Sequence, residues 1–288
     1  MPSLKQIKRR ITSIKSTQQI TRAMKMVAAA KLRRAQDNII KARPYSHKLR
    51  EVIRELSGRC DRSMHPLLAL REPEKIGIVV VSADRGFCGS FNTNIIKAAV
   101  KEVKSLQAID PTIQLVTIGR KASDFFRKRD YLVLQAHNNL FQDLHFGVAA
   151  SLGEQIIDFY TSDKLDRIYV VYNEFKSAIQ QNIIVEQLLP IIPEDADVDA
   201  GASIENLYEP DALTVLSGVL PLYINNQMWR IFLESNAAEH GARMTAMENA
   251  TKNAGELIDS LTLQYNKARQ AAITKELLDI VSGAEGMK

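Results

Sequence analysis

The C-terminal part of this chain carries an apolar repeat that is longer than a single globular domain can use. From Ala237 onward, small and apolar residues recur at alternating steps of four and three for five heptads. This spacing is typical of a coiled coil, or of a helix packed along one long partner. At 1.5 Å per residue, some 70 helical residues would span roughly 100 Å. The sequence therefore predicts one long helix over 207–288, whose seam consists of Ala237, Gly241, Met244, Met247, Thr251, Ala254, Ile258, Leu261, Tyr265, Ala268 and Ala272.

The sequence also predicts a second long helix, over residues 1–57. Ser3 followed by Gln6 is a capping box, in which each side chain binds a free backbone amide of the first turn. Pro44 should kink this helix or interrupt it briefly. Apolar residues follow a helical stripe, slip in phase after residue 14 and then resume, which predicts a stutter in the seam. The residues of the stripe are Leu4, Ile7, Ile11, Ile14, Ile20, Met24 and Val27.

The two terminal helices are predicted to pair with each other. Each stripe is narrow and rich in small residues, so each helix needs a partner, and the two ends match. They should run antiparallel, because one long insertion joins them. The alternative is that each helix belongs to an ordinary bundle, but the rest of the sequence offers too few helices to build one.

The insertion, residues 75–192, alternates between strand and helix patterns. This alternation is typical of a mainly parallel sheet covered by helices, a Rossmann-like α/β domain. The last two strands have no helix between them and should form an antiparallel hairpin at one edge. The acidic residues 193–206 read as a linker. Strands are expected at 75–82, 113–119, 131–135, 167–173 and 182–189, and helices near 92–106, 120–129 and 145–162.

The segment VVVSADRGFCGSFN (79–92) is the strongest candidate for a nucleotide site, because a strand, a glycine turn and a helix follow one another there. The turn contains only Gly86 and Gly89, whereas the dinucleotide motif needs three glycines and the phosphate loop needs a lysine. Asp84 would also repel a phosphate, although Arg85 could compensate. The alternative role of the glycines is to permit a tight crossing and close helix–sheet packing. A Rossmann-like nucleotide-binding enzyme with a coiled-coil oligomerisation element stays open as a second interpretation.

Other catalytic patterns are missing from the sequence. The five histidines have no metal-ligand spacing, and His137 and His145 lie on either side of a predicted turn. The two cysteines, Cys60 and Cys88, are too far apart for a metal or redox motif. We therefore expect no catalytic residue, no cofactor and no metal in this chain.

Charge is distributed unevenly along the chain. The first 50 residues hold 14 Lys and Arg against one acid, while the net charge of the whole chain is only +5. A basic arm on an acidic body indicates an acidic partner, which could be nucleic acid, a membrane surface or a protein. Aromatic residues for base stacking are nearly missing before Tyr45, and the basic residues surround an apolar stripe, so a protein partner is favoured over nucleic acid. The N-terminus is too charged for a signal peptide, it continues directly into a helix pattern, and we expect no membrane-spanning segment.

Several long motifs, in the right order, resemble the gamma subunit of F-type ATP synthases of the bacterial type. The resemblance covers essentially the whole chain. At the ends it rests on IKSTQQITRAMKMVAAAKLRRAQ (14–36) and on residues 235–284, which begin SNAAEHGARMTAMENATKNAGEL. Between them, SADRGFCGSFN (82–92), NEF (173–175) and LYEPD (207–211) also match.

The resemblance implies a function, since in this family the terminal helices form the central rotating shaft of the enzyme. Such a shaft would couple proton flow through the membrane rotor ring (c-ring) to ATP synthesis or hydrolysis in a ring of alpha and beta subunits. The epsilon subunit would be a further partner. The chain would be a non-catalytic subunit, with no nucleic-acid partner, held peripherally at the cytoplasmic face of a bacterial plasma membrane.

The resemblance also implies roles for particular residues. Met24 and Lys25 match positions where the shaft meets a beta subunit, and Arg243 lies on the coupling stretch. In NKARQAAIT (266–274), the matching positions engage the upper part of the ring. Phe87 and Ser90 depart from the family pattern, which has leucine and glycine there. The remaining implied contacts are Arg269, Gln270 and Thr274 with beta subunits, and Tyr208 and Glu209 with the rotor ring.

Overall fold

The structure is a computed structural model that describes residues 3–57, 65–107, 111–192 and 211–285. Two long helices flank a five-stranded α/β domain, as the sequence predicts. The predicted linker 193–206, together with Tyr208 and Glu209, lies outside the described residues. In chain order the elements are α1 (Leu4–Ser57), β1 (Lys75–Val81), α2 (Phe91–Gln107), β2 (Thr112–Ile118), α3 (Arg120–Arg127), β3 (Val133–His137), α4 (Phe146–Thr161), β4 (Arg167–Phe175), β5 (Gln181–Leu189) and α5 (Ala212–Glu285).

The capping box at the start of α1 is confirmed. The Ser3 amide donates to Gln6 Oε1 at 3.0 Å, and the Gln6 amide donates to Ser3 Oγ at 3.3 Å. The helix then continues through Pro44 to Ser57 without interruption. Pro221 likewise lies inside α5. Burial of one face of each helix therefore outweighs the cost of one lost backbone hydrogen bond at each proline.

The sheet has the strand order β3-β2-β1-β4-β5. The first four strands are parallel, and β5 pairs antiparallel with β4 at one edge, which confirms the predicted hairpin. The central strand β1 is buried from Ile76 to Val81 because it has a strand on each side and helices on both faces. One face packs on α2 and α3, around Ile95 and Phe126. The other face packs on α4 and on residues of both long helices, including Leu56 and Ile224.

The chain divides into two compact units. Unit 1 consists of residues 1–28 and 244–288, and unit 2 consists of residues 29–243. The division falls inside both long helices, so the inner part of each helix belongs to the same unit as the sheet.

In unit 1, the described parts of α1 and α5 pair antiparallel. The Thr21 and Thr251 hydroxyls lie 2.8 Å apart, and the Gln18 side-chain amide donates to the Thr251 carbonyl at 3.4 Å. The Lys25 ammonium reaches Glu248 Oε1 at 2.6 Å. As residue numbers rise along α1, the residue numbers of their partners on α5 fall, as expected for an antiparallel pair. The same pairing occurs in unit 2, where Asn226 Nδ2 donates to Ser46 Oγ at 3.0 Å.

The predicted stutter in α1 is wrong. The inward face keeps steps of four and three through Gln18, Thr21 and Ala28, whereas Ile20 and Val27 are each 57% exposed. The sequence interpretation took the apolar residues as the seam. The seam instead accepts two polar residues, because their side chains hydrogen-bond within it. In contrast, every predicted seam position of α5 is buried or half-buried.

Candidate functional site

The carboxyl ends of β1 and β4 form the crevice in which open α/β sheets usually bind ligands. From β1 the chain moves outward to β2 and β3, and it then returns to the other side at β4. The crevice therefore lies at the topological switch point of the sheet. Here it is filled by the chain itself, because Ala238 and Ala242 of α5 pack against Ala83, Cys88 and Phe91.

The packing of α5 in the crevice is close at Gly241. A Cβ atom at this position would come within 3.2 Å of Ala178 Cα and within 3.3 Å of the Phe175 ring. The absence of a side chain lets the helix backbone approach the end of β4. A nucleotide could not occupy this place unless α5 moved away, which counts against a Rossmann-like nucleotide-binding enzyme.

The loop 82–92 uses its polar groups internally. Asp84 Oδ1 accepts hydrogen bonds from the amides of Arg120 at 3.0 Å and Asn139 at 2.7 Å. Ser82 Oγ accepts from the Ala122 amide at 2.9 Å, so both side chains serve the start of α3. Asn92 Oδ1 accepts from the Ala83 amide at 2.9 Å. Asp84, the acid that would repel a phosphate, is therefore a structural group that caps the start of α3.

The two glycines of this loop differ in their roles. Gly89 adopts a left-handed conformation with φ of 59°, in agreement with the predicted tight crossing. Gly86 has a negative φ, and a Cβ there would meet only Lys121 Cε at 4.0 Å, so close packing does not explain it. Phe87 also has a left-handed φ of 60°, and the residue is 74% exposed.

Arg243 connects α5 to the loop within unit 2. Its guanidinium donates to Glu239 Oε1 at 2.5 Å and to the Gly86 carbonyl at 3.2 Å. The side chains of Arg243 and Glu239 are 12% and 9% exposed, so this ion pair is nearly buried. His240 Nδ1 lies 3.4 Å from the same guanidinium. The predicted coupling residue is thus the centre of a buried polar cluster that the sequence did not reveal.

Burial shifts the pKa values of this cluster. Desolvation raises the pKa of Glu239, and Arg243 partly opposes that shift. Desolvation, with the positive charges of Arg243 and Lys31, lowers the pKa of His240 to about 4. His240 is therefore neutral near pH 7, and its imidazole can accept a hydrogen bond from Arg243. Burial also raises the pKa of the Cys88 thiol, which disfavours the reactive thiolate.

In unit 1, the predicted contact residues Met24 and Lys25 lie partly buried on α1. Lys25 pairs with Glu248 across the two helices, and the side chains are 38% and 56% exposed. An ion pair as exposed as this contributes little to stability. Lys25 therefore carries its charge at the rim of the seam, where a partner could also reach it.

The other predicted contacts of unit 1 lie on the outer surface of α5. Arg269, Gln270 and Thr274 are exposed, while their neighbours Ala268 and Ala272 face the seam. Large apolar residues are also exposed along both helices of unit 1. They are 48–67% exposed and are Ile20, Met26, Val27, Leu257, Leu263, Ile273, Leu277, Leu278, Ile280 and Val281.

His137 and His145, which the sequence places on either side of a turn, line one cavity of about 270 Å³. However, the described ranges contain no group of three or more His, Cys, Asp or Glu that could hold a metal ion. Nor do they contain a helix both long and apolar enough to cross a bilayer.

Comparison with known proteins agrees with this architecture. A family model described as ATP synthase matches residues 3–287. The ATP synthase gamma chain of Chlorobaculum parvum is 50% identical over the whole of both chains, and that of Trichlorobacter lovleyi is 46% identical, also over the whole of both. This chain belongs to the ATP synthase gamma-chain family. A gamma chain is a subunit of an F-type ATP synthase, in agreement with the prediction of a non-catalytic subunit.

Solved structures also resemble this gamma chain. A chain of the central stalk and c-ring of the Tetrahymena thermophila mitochondrial ATP synthase has a TM-score of 0.59 and 26% identity, and the match covers 80% of this chain and 99% of that one. A chain of the Euglena gracilis mitochondrial ATP synthase rotor has a TM-score of 0.70 and covers 94% of this chain and 98% of that one. Its identity of 22% supports the fold alone. The predicted fold class and family are confirmed.

Proposed function

We propose that this gamma chain is the central rotating shaft that couples ion flow through a membrane rotor ring to ATP synthesis and hydrolysis in a ring of alpha and beta subunits. The single observation that carries the proposal is the set of large apolar residues exposed along both helices of unit 1. Exposed apolar residues in this number indicate that a partner covers them. A pair of helices with a narrow, small-residue seam can fit inside a ring, and its outer apolar side chains then contact the ring.

The coupling would be mechanical. Each angle of the shaft presents a different side of α1 and α5 to a given beta subunit. A contact that differs between two conformations of that subunit shifts the equilibrium between them. On this proposal Met24, Lys25, Arg269, Gln270 and Thr274 contact beta subunits, and Arg243 fixes the coupling stretch of α5. The exposure of Arg269, Gln270 and Thr274 supports this assignment.

The membrane rotor would be a further partner of the shaft. By resemblance to the family, Tyr208 and Glu209 contact the c-ring, and the epsilon subunit binds nearby. The description of the Tetrahymena relative as central stalk and c-ring supports a rotor-ring partner. We place the chain peripherally at the cytoplasmic face of a bacterial plasma membrane, without nucleic acid as a partner.

The residue assignment is tested in the assembled complex with Arg269→Ala combined with Gln270→Ala. Both side chains are exposed and lie outside the seam, so the chain should still fold. Loss of a charge-assisted hydrogen bond and a second polar contact should reduce ATP-driven proton pumping by about tenfold or more. Pumping and ATP hydrolysis are measured on the same preparation.

The matched control is Lys275→Ala with Gln264→Ala, which likewise removes one positive charge and one side-chain amide from α5. Each control position is six residues from its counterpart, which turns it by about 120° around the helix. The control should keep most of its pumping. Equal losses in both variants, or full activity in the first, would contradict the assignment to Arg269 and Gln270.

A further inference from the structure

Within unit 2, the buried side of α5 belongs to the apolar core on one face of the sheet. Ile224, Met228 and Ile231 are 0% exposed and share this core with Val170 of β4. Apolar packing resists the separation of two elements, but it is not directional, so it fixes the turn of a helix about its own axis less strictly. Groups with a required bonding geometry fix such a setting more firmly. One such group, Arg230, lies on this stretch of α5.

Arg230 joins α5 to both strands of the edge hairpin. Its Nη1 donates to the Tyr172 hydroxyl of β4 at 2.9 Å, and its Nη2 donates to Glu186 Oε1 of β5 at 2.5 Å. Its Nε donates to Gln227 Oε1 at 2.8 Å, one turn earlier on α5. The guanidinium also lies over the Tyr172 ring, 5.6 Å from its centroid. The three nitrogens of this guanidinium are therefore held by partners on β4, β5 and α5.

The partners of Arg230 are fixed as well. Tyr172 is 1% exposed, and its hydroxyl donates to Glu186 Oε2 at 3.4 Å, so the three side chains form a closed triangle. Burial raises the pKa of Tyr172 to about 12, which keeps this hydroxyl protonated. The side chains of Arg230 and Glu186 are 25% and 32% exposed, so water screens their ion pair less than it screens a fully exposed pair.

The shape of the guanidinium makes this triangle sensitive to small movements of α5. Its planar N–H groups keep fixed directions, and a hydrogen bond weakens steeply when its distance or angle leaves the preferred range. A shift of about 1 Å along or around the helix axis would take the contact with Tyr172 beyond hydrogen-bonding distance. Apolar side chains would keep most of their contacts after such a shift. Arg230 therefore resists small turns of α5 on the sheet more strongly than the apolar core does.

We propose that Arg230 is a positioning residue that passes rotation between the sheet and α5. The inference rests on the proposed function, in which this chain is a rotating shaft. If the sheet and α5 turn together, each step of the rotor turns the side of α5 that meets a beta subunit by the same angle. If α5 slips on the sheet, part of the rotation is lost, and ATP hydrolysis is no longer strictly coupled to proton transport. Arg230 acts through the helix that it holds, not by contact with a reacting group.

The test uses the assembled complex in sealed vesicles, with Arg230→Met and Arg230→Lys. Methionine removes all three hydrogen bonds of the guanidinium, whereas lysine keeps the charge and loses the planar fork. The number of protons pumped per ATP hydrolysed should fall about twofold or more with methionine, because hydrogen bonds to charged groups are among the stronger ones. Lysine should give an intermediate ratio. A residue needed only for folding would lower the yield of complex, but not the ratio in the complex that assembles.

The matched control is Arg71→Met, because Arg71 has similar polar partners that lie outside both long helices. Its Nη1 donates to Asp163 Oδ1 at 2.5 Å, and its guanidinium lies 4.8 Å from the centroid of the Tyr160 ring. This variant should keep the ratio of the unchanged complex. If both methionine variants lower the ratio equally, a general loosening of the α/β domain explains the result, and the role proposed for Arg230 is wrong.

The outcomes separate this inference from the proposed function. If the unchanged complex shows no ATP-driven pumping that depends on this chain, the proposed function fails. If the unchanged complex pumps and Arg230→Met has the same ratio, the proposed function stands and the role of Arg230 is wrong. Should Arg230→Met prevent assembly, Arg230→Lys decides, since an unchanged ratio in that variant also contradicts the proposal.

Discussion

At the scale of single residues, the polar groups next to the sheet have structural tasks that sequence motifs do not reveal. Asp84 caps α3, and Arg243 joins α5 to the Gly86 carbonyl. Glu239 and His240, one helical turn before Arg243, complete its surroundings. Since α5 closes over these groups, their charges interact in a poorly hydrated place. Their protonation is therefore coupled to folding.

His240 should make the stability of the chain depend on pH. Burial lowers its pKa from about 6.5, the ordinary value for histidine, to about 4 in the folded chain, so between these pH values the unfolded chain binds more protons. Stability should therefore fall as pH drops from 6.5 to 4, by up to roughly 3 kcal/mol, and change little above 6.5 through this group. The measurement is the free energy of unfolding against pH.

The control for this prediction is His240→Gln, which cannot titrate. Glu239 and Glu234 have raised pKa values and act in the opposite direction, since the folded chain takes up their protons more readily. Both carboxyls are present in both proteins, so the difference between the two pH profiles isolates His240. Parallel profiles would mean that His240 is exposed to water in solution.

At the scale of elements, the long helices show that an apolar stripe and a packing seam are different things. In α1 the seam accepts Gln18 and Thr21, while Ile20 and Val27 face outward. In α5 the seam and the apolar repeat coincide. Small seam residues such as Ala28 and Ala254, which are 2% and 6% exposed, let the helix axes approach closely. Large residues at these places would separate the helices.

Ala254→Leu should therefore destabilise unit 1. The added carbon atoms have no space in the seam, and overpacking of this kind costs about 1–3 kcal/mol. Ala271→Leu adds the same atoms to the same helix at an exposed position and should change stability by less than about 0.5 kcal/mol. Denaturant unfolding of both variants checks the difference. A neutral effect of Ala254→Leu would show that the helices are less closely packed here than the structure has them.

At the scale of the whole molecule, the chain combines an α/β sheet with a helix that occupies its ligand crevice. Ala238, Gly241 and Ala242 of α5 lie where a nucleotide would lie in an enzyme of this topology. The sheet thus supports the helix. The relatives that the chain matches over its full length are gamma chains of a larger enzyme.

Gly241→Leu tests how closely α5 fills the crevice. Leucine at this position would press on the backbone of Ala178 and on the Phe175 ring, with an expected loss of about 1–3 kcal/mol. The same change at Gly218, where nothing lies within 4 Å of an added Cβ, should stabilise α5 by about 0.5–1 kcal/mol through helix propensity. Thermal unfolding compares the two variants. Stabilisation by both would mean that α5 does not press on β4 as described.

Much of this protein could be predicted from its sequence, because local periodicity encodes the elements. The capping box of α1, the five strands, the edge hairpin and the seam of α5 follow from the spacing of residues close in the chain. The long motifs at both ends were enough to predict the family. The glycine loop could be recognised as a poor nucleotide site because the required lysine and third glycine are missing.

Tertiary structure alone decided which side of each pattern faces inward and which distant groups meet. The seam of α1 could not be located from hydrophobicity, since Gln18 and Thr21 hydrogen-bond across it to Thr251, which is more than 200 residues away. The same holds for the Arg243 cluster, which is buried because this part of α5 packs on the distant loop at Gly86. Periodicity records which residues share a face, whereas burial, hydrogen bonding and pKa depend on what packs against that face.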